Sequence, residues 1–162
     1  MMLCVTCGFQ RPNRFKSYSC PSCRAYLKYV EAPAKHTVIK LHNAGLSVSY
    51  ATAEVYSYAH GSVHTVNICI GLSQPYQTMV FRRLPDGMGY VLPHSHESLS
   101  HVPQEHILFP VRTYGLIRYE TPYLDHKEAK AMLRQKLKEL DAWVDDATAD
   151  GWLAILHLGG LL

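Results

Sequence analysis

Two Cys-x-x-Cys pairs stand twelve residues apart near the start of the chain, Cys4-Val-Thr-Cys7 and Cys20-Pro-Ser-Cys23. A two-residue gap lets both thiolates of a pair face one point across a tight knuckle. Two such knuckles complete a tetrahedron around a single ion. The flanking residues suit the task. Gly8 follows the second cysteine, where a positive φ costs a glycine little, and Pro21 pre-sets the second turn. The spacing therefore predicts a metal site with Cys4, Cys7, Cys20 and Cys23 as ligands, organising residues 1–32 as a small module ahead of a larger domain over residues 33–162.

Other uses of four cysteines fit less well. Two disulfides are disfavoured in a reducing compartment, four buried free thiols need no such pairing, and a thioredoxin-like redox pair does not come twice without a strand–helix unit. The opening Met-Met-Leu-Cys carries neither a basic segment nor a long apolar one, so a soluble, cytoplasmic protein is expected. No apolar run approaches the roughly 18–20 residues of a membrane span.

Zinc held by four thiolates has no open coordination position, so it acts as a folding element and not as a Lewis acid. Apparent binding energies of ~10–16 kcal/mol at such sites exceed what so small a core can supply. Loss of one cysteine is expected to unfold the module.

The segment from Cys4 to Cys23 resembles the zinc-ribbon superfamily and, in its spacing, the rubredoxin-like modules of rubrerythrins. The first likeness implies structural Zn2+. The second implies redox-active iron and electron transfer, but rubrerythrins also need a di-iron helix bundle, and no paired Glu-x-x-His helices occur here. The second knuckle reads Cys-Arg-Ala where rubredoxins usually show Cys-Gly, and zinc is favoured. Farther on, the segment Val38 to Tyr90, helix then sheet with Leu41-His-Asn-Ala-Gly-Leu46 at the joint, resembles small uncharacterised phage and mobile-element proteins that place a Leu-Asn-x-x-Gly helix end before a strand. That likeness implies no catalytic residues.

Charge is concentrated in the same module. Residues 1–35 hold Arg11, Arg14, Lys16, Arg24, Lys28 and Lys35 against Glu31 alone, a balance of +5, while the remaining residues balance to −2 within a net charge of +3. Phe9, Phe15, Tyr18, Tyr26 and Tyr29 interleave with these cations. Cations neutralise phosphates and aromatic faces stack on unpaired bases, which makes Arg11, Arg14, Lys16, Arg24 and Lys28 the candidate nucleic-acid contacts. The competing expectation is that Phe15, Tyr18 and Tyr26 fill the core of the ribbon and the cations form a solvated rim.

Beyond the module, the pattern predicts an α+β domain, an antiparallel sheet with helices packed on one face. A helix is expected from Pro33 to Asn43, ended by Gly45. Leu46–Tyr58 and Val63–Leu72 alternate as strands, with Val66, Ile68 and Ile70 on one face and Cys69 on the other. Thr78–Leu84 reads as a third strand, with Arg82 and Arg83 as edge charges. Pro85-Asp86-Gly87 is a turn into a fourth strand, Gly89–Leu92. Residues 93–106 read as a loop or short helix, and Ile107–Val111 and Gly115–Tyr119 as short strands. The clearest helix runs from Asp125 to Ala147. Asp125 and Glu128 form a capping box, Leu133, Leu137, Leu140, Val144 and Ala147 make the inward stripe, and Lys130, Arg134, Lys136 and Lys138 lie on the solvated face. Trp152–Leu158 is expected to return as a strand or short helix.

The ten histidines raise a second metal site. His94-x-His96 puts two imidazoles on one side of an extended segment, with Glu97, His101 and His106 nearby, as a metal-dependent hydrolase would require. No His-Glu-x-x-His motif accompanies them, and a serine- and histidine-rich surface loop accounts for the same residues. His60 and His64, read as flanking a hairpin turn at Gly61, are treated likewise. Cys69 lies mid-strand among apolar residues, where an inert buried thiol is the rule. Without a nucleophile elbow, phosphate loop or dinucleotide fingerprint, the pattern points to a non-enzymatic accessory or regulatory protein. Its ribbon is expected to bind nucleic acid or a partner protein.

Overall fold

The computed structural model describes residues 1–12, 18–58, 63–92, 113–121 and 124–151. Its strands are β1 (Met2–Leu3), β2 (Gln10–Arg11), β3 (Lys28–Val30), β4 (Val48–Tyr58), β5 (Val63–Leu72), β6 (Gly89–Val91) and β7 (Gly115–Glu120), with helices α1 (Lys35–Asn43) and α2 (His126–Ala149). The strands form one sheet in the order β2-β1-β3-β4-β5-β7-β6.

The α+β class holds, with one correction to the expected antiparallel sheet. All neighbouring pairs are antiparallel except β3 and β4, which run parallel with Tyr29 opposite Tyr50 and Val30 opposite Ala51. Parallel neighbours need a crossover. Here the chain leaves β3, makes a 3-10 turn at Ala32–Ala34, runs through α1 and returns in the same direction. The cysteine module is thereby joined to the rest through backbone hydrogen bonds, the sheet continuing past residue 32.

Strand alternation decides which face the helices cover. Ala51 and Ala53 of β4, Val66, Ile68, Ile70 and Leu72 of β5, and Ile117 and Tyr119 of β7 point to one side. They meet Val38 and Leu41 of α1 and Leu133, Leu137, Leu140 and Val144 of α2 in one buried cluster. Each Val, Leu or Ile among them adds about 1.5–3 kcal/mol when fully buried. The start of α2 is built as a capping box: Asp125 Oδ1 accepts the Glu128 N–H at 2.8 Å, and Glu128 Oε2 accepts the Asp125 N–H at 3.3 Å. That geometry satisfies two of the donors a helix leaves unpaired at its N-terminus. The two helices are linked at the surface by His36 Nδ1 with Asp141 Oδ2 at 2.7 Å and by Lys40 with Asp145.

Two further expectations are corrected. Thr78–Leu84 is not a strand: Thr78–Phe81 form a 3-10 turn. A strand would send Val80 and Phe81 to opposite faces, but both are buried, and Phe81 stacks on Tyr90 at 4.1 Å and on Trp143 at 6.2 Å. Tertiary aromatic packing overrides alternation here, and Arg82 and Arg83 are exposed charges after a helical turn, not on a strand edge. Lys136, placed on the solvated face of α2, is 9% exposed. Its Nζ donates to the Asp86 carbonyl at 2.9 Å and to Glu139 Oε2 at 2.7 Å, 5.2 Å from the centre of the Tyr119 ring. A long stem buried under a paired head explains the misreading.

The expectations for residues 93–106, Ile107–Val111 and Trp152–Leu158 lie outside the described residues. Among the described residues, no helix is long and apolar enough to cross a membrane.

Candidate metal centre

The two knuckles fold the same way. Cys4 donates its N–H to Phe9 O at 2.8 Å and its carbonyl accepts from Gly8 at 2.9 Å. Cys20 donates to Ala25 O at 2.8 Å and accepts from Arg24 at 2.9 Å. This turn requires a left-handed residue after the second cysteine of each pair: Gly8 has φ +76° and Arg24 φ +62°. Glycine adopts that conformation freely, whereas a residue with a Cβ is strained there by roughly 1–2 kcal/mol.

The turns bring Cys4, Cys7, Cys20 and Cys23 together, all four sulfurs lying within 4.8 Å of one another. Sγ–Sγ separations are 3.4 Å for Cys4–Cys23, 3.5 Å for Cys7–Cys20 and 3.7 Å for Cys7–Cys23. A disulfide would close to about 2.05 Å. A tetrahedron with metal–sulfur bonds of about 2.3 Å has edges of about 3.8 Å. The donor set therefore fits a four-coordinate metal ion, with Cys4 and Cys20 buried and Cys7 and Cys23 at the surface.

Backbone amides prepare the cluster for negative charge. Desolvation is the largest influence on Cys20 and opposes ionisation, but N–H groups of Cys23 and Ser22 and the neighbouring thiols outweigh it and bring its pKa down to about 6. At Cys7 the Phe9 N–H favours the thiolate, yet Cys20, Cys4, burial and Cys23 together push the pKa up to about 12. Cys23 is raised as well: the Ala25 N–H favours its thiolate, and Cys4 and burial overcome that. Four sulfurs this close share charge poorly among themselves, and a cation at their centre is what permits all to ionise.

The module has a small core of its own. Met2, Cys4, Cys20 and Leu27 are buried, with Phe9, Tyr18, Ala25 and Tyr29 against them. Leu3 and Val30 belong instead to the main core, both 0% exposed. Tyr18 thus packs as one expectation had it, whereas Tyr26, assigned to the same core, is 75% exposed. Leu27 takes the inward position of that run and turns Tyr26 outward.

Of the candidate nucleic-acid contacts, Arg24 is exposed on the second knuckle, Lys28 is half-buried in β3, and Arg11 is half-buried in β2 with Nε and Nη2 shielded from water. Arg14 and Lys16 lie outside the described residues, as do Phe15, His60, His94, His96, His101 and His106. His64 is not in a turn. It is a buried residue of β5, with Nδ1 3.0 Å from Ser57 Oγ and its ring 4.7 Å from that of His126.

Sequence reading did not assemble the polar face of the sheet opposite the helices. Pairing aligns Thr52, Cys69 and Arg118 in one row and Glu54, Asn67 and Glu120 in the next. Arg118 Nη2 pairs with Glu120 Oε2 at 2.8 Å. Glu54 Oε1 and Asn67 Oδ1 are shielded from water without a hydrogen-bond partner among the described residues. Turning the Asn67 amide presents a donor in place of its oxygen. Strand alternation carried the facing of these residues, and only register could set them side by side. Cys69, 1% exposed and 3.4 Å from the Tyr50 hydroxyl, has its thiol pushed up by burial, as an inert buried cysteine should.

No protein-family model matches the chain, and comparison with curated proteins and with solved structures finds no significant match. The ribbon likeness therefore rests on the convergence of Cys4, Cys7, Cys20 and Cys23.

Proposed function

We propose that Cys4, Cys7, Cys20 and Cys23 hold one zinc ion, and that the chain is a non-enzymatic accessory protein of the cytoplasm whose basic ribbon binds nucleic acid. The observation that carries this reading is a closed set of four converging sulfurs on the most basic part of the chain. Zinc supplies no reactive chemistry there, because four thiolates leave it no open position. The knuckles hold the basic and aromatic side chains of the ribbon in fixed relation, and β1 and β3 attach that surface to the main sheet.

Elemental analysis of purified protein, paired with binding of a labelled oligonucleotide at low and moderate salt, tests the proposal. One zinc per chain is expected, with an affinity that falls steeply as salt rises and is lost on chelation. A red, iron-loaded protein would replace it with electron transfer. Two metal equivalents, one removed by His94→Ala, would replace it with the hydrolase reading. A zinc-loaded protein that ignores every oligonucleotide would make its partner a protein.

A further inference from the structure

Three residues of the second knuckle and the strand after it stand out together. Tyr26 exposes 75% of its surface, more than Leu92 at 54%, Val91 at 39% or Tyr114 at 37%. The ribbon core closes around Leu27 without it. Arg24 holds a left-handed backbone, φ +62°, at the place where the first knuckle uses Gly8. A glycine would relieve that strain, and among the described residues no ion pair or hydrogen bond engages the Arg24 side chain to offset it. Lys28 is half-buried, its pKa lowered by desolvation, and it makes no ion pair among the described residues. The fold thus retains a strained arginine, an uncovered aromatic ring and a desolvated cation at alternate positions of one short run, and it uses none of their functional groups.

We infer that Arg24, Tyr26 and Lys28 form a stacking platform for single-stranded nucleic acid, a refinement that rests on the nucleic-acid reading of the ribbon. An unpaired base has a face to lay on the Tyr26 ring, whereas a base inside a duplex has both faces occupied. Lys28 stands two residues after the ring, about 6–7 Å along extended chain, and Arg24 stands two residues before it at the end of the knuckle turn, so a base on Tyr26 brings its own flanking phosphates toward both long side chains. Duplex reading would need a helix or a long β-ribbon to enter the major groove. Among its described residues the ribbon offers only turns and strands of two or three residues.

The test is fluorescence anisotropy of the zinc-loaded full chain against labelled dT12, rU12 and a twelve-base-pair duplex, at two salt concentrations. Wild type should prefer the single strands; the dT12 and rU12 arms separate DNA from RNA. Tyr26→Ala should weaken single-strand binding roughly 5- to 150-fold, the usual effect of losing one stacked base, while Tyr26→Trp retains it. Arg24→Gly should keep the metal and melt no lower than wild type, yet bind more weakly, its salt slope reduced by about 0.7. Lys28→Gln should reduce the slope likewise. If wild type binds dT12 or rU12 and Tyr26→Ala binds equally well with its zinc intact, the platform is wrong and the broader reading stands. A preference for the duplex overturns the platform in the same way. If wild type binds no oligonucleotide at low salt, both fall.

Discussion

Metal removal should destabilise the whole molecule and not the ribbon alone. β1 is the joint between them: Leu3 pairs with Gln10 on one side and Lys28 on the other, and Cys4 follows it directly. Stripping the ion leaves four crowded sulfurs with nothing to balance their charge, which opens the knuckles and releases β1 and β2 from the sheet edge. Leu3 is then uncovered from the main core at 0% exposure and Met2 from the ribbon core at 4%. At about 1.5–3 kcal/mol for each side chain, their exposure costs roughly 3–6 kcal/mol. That is a large part of the ~5–15 kcal/mol that holds an ordinary domain together. With each kcal/mol worth about 2–4 °C at this chain length, the Tm should fall by roughly 6–24 °C. Calorimetry and circular dichroism before chelation, after it, and after zinc is restored measure the fall and its reversal. Leu3→Ala in the loaded protein supplies the comparison, with an expected loss of about 2–5 kcal/mol. A metal-free chain that melts at the original temperature, or a ribbon that melts alone while the main transition stays put, would refute the coupling.

Other parts of the fold give equally direct expectations. Gly71→Ala would bring a Cβ to 2.7 Å from both Ser49 Oγ and Tyr50 Cδ1; the buried Tyr50 ring must move, and a loss of about 1–3 kcal/mol is expected in chemical denaturation. Lys136→Ala removes the donor to the Asp86 carbonyl and to Glu139, and should cost about 1–3 kcal/mol by the same assay. The Glu128 N–H holds the Asp125 carboxyl below its ordinary range, and the Lys136 ammonium does the same for Glu139. Groups depressed in this way stabilise the fold above their unfolded-state pKa values and lose that contribution as pH falls through the folded ones. Thermal melts of the loaded protein should therefore decline below about pH 4. Asp125→Asn, which keeps a capping side chain and removes its titration, should flatten part of that decline and so separate it from acid release of the metal.

Local rules carried far in this chain because several segments are governed by neighbours in sequence. The spacing of Cys4, Cys7, Cys20 and Cys23 dictates two equivalent knuckles. Asp125 and Glu128 specify the start of α2, and the alternation of Val66, Ile68 and Ile70 assigns the buried face of β5. Each is a matter of a few residues and one backbone periodicity. The same reasoning failed where distant groups set the outcome. Val80 and Phe81 turn helically because Tyr90 and Trp143 wait on one side, and Lys136 buries its stem because the Asp86 carbonyl lies at the end of it. Tyr26 is outside because Leu27 already fills the small ribbon core.

By itself, then, the order of residues determined the α+β class, the cysteine cluster and the basic bias of its surroundings, since spacing, periodicity and charge are properties of the chain. The continuity of the ribbon with the main sheet, the parallel pairing of β3 with β4, and the exposed tyrosine between two cations were decided only in three dimensions. They depend on which strands lie side by side and on how much room a core leaves, and no local pattern records either.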